Sequence, residues 1–302
     1  MNDADDLWRC GGLRWSDGAP GWRWWHPRGG ERKGGRLAVG DGVALAVPEG
    51  AVRRCAGVVR AGRRTPCPDA RVLAAESHRD QCDACAALDR SQSVAADTVP
   101  DDPRPYSVYL AWFAPGLTKV GITAVERGSV RLLEQAAVCF TFLGRGPLMS
   151  ARRAEAVLGA GLGIPDRVHS ARKREGRLRL PGPDERVREL RAVYDAAARV
   201  PGWRDTLEPA GFAPVDHAAA FGLEPAPPRP AAQLTALAPG CAVTGVLRAA
   251  AGPDLYLATD RGELLVDSRL ALAWPLTRPG PRSRPAPTTP VVTAQPAPEA
   301  LF

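Results

Sequence analysis

The sequence has few lysines and asparagines and contains no long apolar run. Only Lys33, Lys119 and Lys173 among its 40 basic residues are lysines, and the remaining 37 are arginines. Asn2 is the single asparagine. Such a bias is typical of a GC-rich genome, so the net charge of +7 over 302 residues does not by itself indicate a nucleic-acid partner.

Two further absences limit where the protein works. No apolar run approaches the ~20 residues that a membrane helix requires, so we expect no membrane partner. The first residues, with Asp3, Asp5 and Asp6, are acidic and lack the apolar core of a secretory signal. We therefore expect a cytoplasmic protein whose seven cysteines are metal ligands or buried thiols rather than disulfides. The sequence does not indicate an oligomeric state.

Changes in composition divide the chain into segments of an α+β protein. We predict an N-terminal β segment (1–54), a cysteine-rich zinc-binding segment (55–103), a mixed α/β domain (104–207), a Pro/Ala-rich linker (208–240), a small antiparallel β segment (241–277) and a disordered tail (278–302). Three or four short strands are marginal alone, so we expect the strands of 241–277 to pack on those of 1–54 and form one small β-domain.

A cysteine cluster carries the most specific signal in the N-terminal half. Cys55, Cys67, Cys82 and Cys85 follow one another with spacing C-x11-C-x14-C-x2-C. Zn²⁺ prefers four such ligands in a tetrahedron, and its binding would supply the folding free energy that this polar segment lacks. Alternatives are free buried thiols, a redox-active Cys82–Cys85 pair, or His78 replacing Cys67 as a ligand. Zinc would be structural in this setting.

The central domain shows alternating strand and helix patterns. We predict strands over 106–113, 117–123 and 138–143, a helix between the second and third strands, a helix capped by Ser150, a basic loop over 167–179 and a last helix from Pro183. The first two strands form a hairpin at Pro115–Gly116. The predicted order is therefore β-β-α-β-α-α.

Short motifs on this hairpin resemble the paired signature of GIY-YIG nucleases. Val108-Tyr109 lies on the first strand and Lys119-Val120-Gly121 on the second. In that family the hairpin presents tyrosines, the next helix an arginine, and a later helix a glutamate that holds a divalent metal. The chain over roughly 40–270 also resembles a bacterial family, domain of unknown function 2797, most specifically over 116–123.

The nuclease resemblance implies a role for each matching residue. Glu155 would hold Mg or Mn, Tyr109 would orient or deprotonate water, and Arg131 would bind phosphate. Lys119 replaces the second tyrosine, and no asparagine fills the position that the family usually offers late in the domain. Plainer interpretations are a core position for Tyr109, a surface position for Glu155, and pairing of Arg131 with its helix neighbours Glu134 or Gln135.

A basic stretch follows the helix that bears Glu155. Residues 145–191 hold 12 basic and 6 acidic residues, and six cations cluster after Glu155: Arg167, Arg172, Lys173, Arg174, Arg177 and Arg179. We expect these six to bind nucleic acid, DNA or RNA, with steep salt dependence; the alternative is a solvated loop. The tryptophans of 22–25 either pack a small sheet or stack bases.

These observations predict a zinc-containing nucleic-acid-binding protein. Its catalytic form would be a divalent-metal-dependent GIY-YIG-like endonuclease. The alternative is a non-catalytic binding or scaffold module with structural zinc.

Overall fold

The computed structural model describes residues 7–60, 63–89, 102–165 and 167–291. The strands are β1 (Arg9–Ser16), β2 (Ala19–His26), β3 (Gly30–Arg36), β4 (Gly42–Ala46), β5 (Val58–Arg60), β6 (Arg63–Thr65), β7 (Tyr106–Ala114), β8 (Leu117–Ala124), β9 (Cys139–Gly146), β10 (Glu208–Pro209), β11 (Val215–Asp216), β12 (Ala232–Leu234), β13 (Cys241–Ala251), β14 (Asp254–Thr259), β15 (Gly262–Asp267), β16 (Arg284–Pro285) and β17 (Thr288–Pro290). The helices are α1 (Asp83–Leu88), α2 (Val130–Glu134), α3 (Leu148–Leu162), α4 (Ser170–Arg177), α5 (Pro183–Arg199) and α6 (Ala218–Phe221). The protein is thus a mixed α+β protein with more strands than helices. None of the helices in the described part of the chain is long and apolar enough to cross a membrane.

The central sheet is built around β7, which is buried along its whole length. Strands β8 and β9 pair with it antiparallel on either side. The predicted hairpin is present, and Gly116 adopts a φ of +66° in its turn, a conformation that favours glycine. Helices α3, α4 and α5 all pack against β7.

The helices differ from the prediction in three ways. Helix α2 has only five residues because Ala136 adopts a φ of +61° and turns the chain into β9. Helix α3 starts at Leu148 after Pro147, not at Ser150. Residues 170–177, predicted as loop, form α4. The sequence of α4 is polar on all sides. Ion pairs to distant strands hold this helix in place, and a local sequence pattern does not predict such contacts.

Residues 208–240 are not a free linker. Strands β10 and β11 pair with β9, and β12 joins the second sheet. Phe221 and Leu223 are fully buried beside the core. This segment has few apolar residues, and they are widely spaced. Its strands pair through main-chain groups. The sequence pattern therefore indicates neither the burial nor the strand pairing.

The second sheet combines β4 from the N-terminal segment with strands from the C-terminal part of the chain. Strands β13, β14 and β15 form a meander, and β4 pairs antiparallel with β13. Parallel partners at two positions, β16 on β13 and β12 on β15, make the sheet mixed rather than antiparallel. Residues 278–291 of the predicted tail supply β16 and β17, because an open sheet edge pairs with any extended backbone. Residues 292–302 lie outside the described residues.

Strands β1, β2 and β3 form a third sheet that carries most of the N-terminal tryptophans. Trp22 is buried in the main core, which agrees with the packing interpretation for this member of the 22–25 group, and Trp15 of β1 is buried in the same core. The indole nitrogen of Trp15 donates a 2.9 Å hydrogen bond to the carbonyl of Gly252. This contact ties the third sheet to the turn between β13 and β14.

Candidate functional site

The four predicted cysteines form one cluster. The hairpin of β5 and β6 separates Cys55 from Cys67, and the pairing of Val58 with Thr65 returns the chain so that the two thiols meet. Cys82 precedes α1 and Cys85 lies in its first turn. The four Sγ atoms all lie within 4.8 Å of one another, so the cluster could hold a metal ion such as zinc.

Backbone donors surround these sulfur atoms. The amides of Cys82 and Gly57 donate to Cys55 Sγ over 3.2 Å and 3.4 Å. A Cβ at position 57 would lie 1.9 Å from the carbonyl oxygen of Thr65, and φ there is +80°, so glycine is required. Amides of Arg71 and Asp69 lower the pKa of Cys67 to about 7. These donors favour thiolates, the form that zinc binds, whereas burial raises the pKa of Cys55 and Cys85.

The other histidine and cysteine candidates lie elsewhere. His78 Nε2 is 3.4 Å from the carboxylate of Asp267 and is not in the cluster, so Cys67 rather than His78 is the fourth candidate ligand. Cys10, Cys139 and Cys241 are free and buried outside the cluster. In the described part of the chain the candidate metal centre therefore consists of four cysteines, with no histidine.

A second site is a cleft of about 910 Å³ that lies beside the central sheet. All four residues of the nuclease-like motif line it: Tyr109 on β7, Lys119 on β8, Arg131 on α2 and Glu155 on α3. The order hairpin, helix and later helix thus brings together side chains that span 47 positions of the sequence. All four side chains line the same cleft, and their roles stay predictions.

Tyr109 is the most tightly placed of the four. It pairs across the hairpin with Gly121, and a Cβ at Gly121 would lie 2.3 Å from its hydroxyl oxygen. The side-chain amide of Gln135 donates a 2.9 Å hydrogen bond to that oxygen. Burial raises the pKa of Tyr109, so the phenol stays protonated at neutral pH. The side chain is thus both a core residue and part of the cleft wall.

The remaining three are more accessible. Arg131 is exposed, whereas Lys119 and Glu155 are half-buried. Charges of Arg131 and Glu155 act on the pKa of Tyr109 in opposite directions, which shows that both lie near the phenol. The alternative partners of Arg131 are engaged elsewhere, because Glu134 pairs with Arg127 and Gln135 bonds Tyr109.

The rest of the cleft wall is basic and aromatic. Nine cationic residues line it: Arg14, Arg23, Arg64, Arg104, Lys119, Arg127, Arg131, Arg152 and Arg269. Five acidic residues line it: Glu31, Asp80, Asp89, Glu134 and Glu155. Trp24 and Trp25 belong to the same wall. Arg64, which belongs to the cysteine-rich segment, lies over the Trp25 ring at 5.0 Å from its centroid.

The predicted basic cluster divides into two groups. Arg174 and Arg177 form ion pairs with Asp254, and Arg174 also pairs with Asp267. Arg177 is 1% exposed and its guanidinium is bonded to Asp254 and Tyr256, so it is not available to a ligand in this conformation.

Lys173 is also turned inward. Its ammonium lies 3.9 Å from the centroid of the Phe113 ring. The exposed members of the predicted cluster are Arg167, Arg172 and Arg179, and His169 is exposed beside them.

Sequence reasoning missed the acidic partners of this cluster. Asp254 and Asp267 are 2% and 4% exposed and begin and end the β14–β15 hairpin. Burial alone would raise the pKa of Asp267, but hydrogen bonds from Arg269 and His78 hold it well below its usual value. The available signal was an acidic residue at each outer end of the two predicted strands, next to the apolar stretches 255–258 and 264–266.

Comparison with known proteins identifies the family and nothing more specific. No curated protein and no solved structure matches the chain. The family model described as "Protein of unknown function (DUF2797)" matches residues 52–275, which is more than half of the chain and includes both the cysteine cluster and the motif residues of the cleft. The protein therefore belongs to this family.

Proposed function

We propose that the cleft binds nucleic acid through its phosphate backbone. The observation that carries the proposal is the composition of one cavity: nine cationic residues line it against five acidic ones, with indole and phenol rings between them. Five of these cations also form ion pairs with carboxylates: Arg23, Arg64, Arg104, Arg127 and Arg269. Guanidinium groups suit phosphate oxygens, and aromatic faces accept bases of any sequence. The cleft, rather than the exposed side of α4, would then be the main binding surface.

The second part of the proposal is hydrolysis of a phosphodiester bond, as the nuclease resemblance implies. Glu155 offers a half-buried carboxylate to the cleft, and magnesium is held in many sites by one or two carboxylates together with substrate phosphates. Such an ion would polarise the phosphate and neutralise developing charge. The donor set of this chain is compatible with that role.

The other residues would act directly. Tyr109 is 1% exposed, so it would act only on a group that reaches the cleft wall at its hydroxyl. Because that hydroxyl accepts from Gln135, its own proton would remain available there to orient a water or a phosphate oxygen. Its raised pKa favours this orienting role over that of a base. Arg131 and Lys119 would bind the phosphate and offset the negative charge that grows in the transition state.

The zinc cluster would serve the cleft structurally. Arg64, His78 and Asp80 belong to the cysteine-rich segment and line the cleft. Buried Arg53 donates to the carbonyls of Ala74, Ser77 and Leu272 and thereby ties this segment to the turn that follows β15. A metal held by the four cysteines would fix this wall.

The test combines binding and cleavage. Labelled single-stranded DNA, duplex DNA, branched DNA and structured RNA are titrated with the protein, and then incubated with Mg²⁺ or Mn²⁺. We expect binding to at least one substrate and cleavage that Glu155→Gln abolishes. Glu175→Gln, an exposed position of α4, is the matched control and should cleave like the wild type.

Each outcome has a distinct meaning. Absence of binding to all four substrates would refute the proposal. Binding with no turnover, or turnover unchanged in Glu155→Gln, would refute hydrolysis at this site and favour the alternative of a non-catalytic binding module.

A further inference from the structure

Lys173 occupies a position that phosphate binding does not explain. Its ammonium donates a 2.9 Å hydrogen bond to the main-chain carbonyl of Gln135 and lies over the face of Phe113. Arg172, its neighbour on α4, is exposed, whereas Lys173 is largely shielded from water. Lys173 is not among the described residues that line the cleft.

The carbonyl that it binds belongs to the residue that holds Tyr109. The main-chain carbonyl of Gln135 accepts a hydrogen bond from Lys173, and its side-chain amide donates one to the Tyr109 hydroxyl over 2.9 Å. Ala136 follows in the left-handed region, so the chain bends sharply at this point. An unbroken series of contacts therefore connects α4, the end of α2 and the phenol in the cleft.

A buried lysine can lose its charge near neutral pH, whereas an arginine stays charged. Burial, together with the charges of Lys119, Arg177 and Arg131, lowers the pKa of Lys173 to about 7, and the charge of Asp254 opposes this shift. These groups lie on β8, on α4 itself, on α2 and on β14. On the far side of the bend, His217 lies 3.0 Å from the carbonyl of Ala137.

We propose that Lys173 is a positioning residue for Tyr109. It acts through Gln135, and its effect depends on whether the Lys173 amine is protonated. When protonated, the ammonium fixes the carbonyl of Gln135 and so aims the amide at the phenol. When neutral, the same contact weakens and the hold on Tyr109 loosens. The catalytic meaning of this control depends on the proposed function, but the structural coupling does not.

The test observes Tyr109 directly and needs no nucleic acid. The protein is labelled with tyrosine carrying ¹³C at Cζ, and the four tyrosine signals are followed from pH 5 to 9, with Tyr109→Phe supplying the assignment. We expect the Tyr109 signal to shift with a single midpoint near 7. Lys173→Met and Lys173→Arg should both remove this transition, and Arg172→Met, on the exposed side of the same helix, should retain it.

A second variant guards against a folding defect in the first. Gln135→Leu leaves Lys173 intact and should also remove the transition at Tyr109. A Tyr109 signal that does not move in the wild type would overturn the proposal. So would a transition that persists in Lys173→Met, because it would belong to a histidine such as His217. Failure here leaves the binding test of the cleft unaffected, and failure of that test leaves this result standing.

Discussion

The cysteine-rich segment and the cleft are assembled in opposite ways. The four cysteines lie within 31 residues, and one hairpin and one short helix bring them together. The cleft instead collects side chains from positions 11 to 272 of the chain. A local site can be derived from spacing, whereas a dispersed one depends on how distant elements pack. Substitutions confined to one region therefore test the metal centre and the cleft separately.

Removal of the metal should lower the free energy of unfolding more than any other change considered below. We expect about one zinc ion per chain by elemental analysis, because the four cysteines form one cluster that could hold a single metal ion. Cys82→Ser/Cys85→Ser should lose the ion together with much of the ~10–16 kcal/mol that structural zinc contributes in small domains. Thermal unfolding measured with and without chelator would follow the loss.

Cys241→Ala is the matched control, since Cys241 is buried outside the cluster. It should keep the metal. If the wild type contained no metal, or if Cys241→Ala lost it equally, the account of the cysteine-rich segment would be wrong.

Breaking the buried ion pairs of α4 should cause the next largest loss in the free energy of unfolding. Arg177→Met leaves Asp254 with fewer partners in the interior, and breaking a buried pair costs about 3–5 kcal/mol. Arg172→Met on the exposed side should change the free energy of unfolding by less than about 0.5 kcal/mol. Urea unfolding measures both. Equal effects of the two variants would show that α4 is a solvated helix, contrary to the structure.

Lys173 should make a smaller contribution to the free energy of unfolding, and this contribution should depend on pH. Its pKa is lowered to about 7 in the folded protein, whereas an unfolded lysine titrates at 10.5. Between these values the unfolded chain binds the extra proton, so stability rises with pH. The slope is at most about 1.4 kcal/mol per pH unit. The difference between wild type and Lys173→Met, from urea unfolding at pH 6 to 9, should show this slope; a flat difference would contradict the lowered pKa.

The sequence predicted the local parts of this molecule well and the distant ones poorly. The β7–β8 hairpin, β9, the cysteine ligand set and the β13–β15 meander follow from alternation, turn residues and spacing. The helix over 170–177 could not be predicted, because its stability depends on Asp254 and Asp267, which lie about 80 and 93 positions away. The packing of 208–240 was concealed for the same reason, since its partners are main-chain groups of β9 and β15.

The candidate site shows the same division. The motif residues of the hairpin were identifiable from their sequence, but the contribution of Arg64 and Trp25 to the same cleft was not. Conversely, six clustered cations predicted a binding surface, and only the folded chain shows that Arg174, Arg177 and Lys173 turn inward. Charge in a sequence indicates a partner only once the acidic groups of the same chain have been placed.

The smallest expected effect tests the central claim most directly. Two double variants remove equal charge: Lys119→Met/Arg131→Met within the cleft and Arg167→Met/Arg172→Met on the exposed surface near α4. Binding of one nucleic acid is measured by fluorescence anisotropy from 50 to 200 mM salt. Each lost phosphate contact should reduce the slope of log K against log salt by about 0.7 to 0.9. We predict that the cleft variant loses up to about twice that slope and binds more weakly, while the surface variant stays close to the wild type. The opposite ranking, or equal losses in the two variants, would contradict a nucleic-acid site in the cleft.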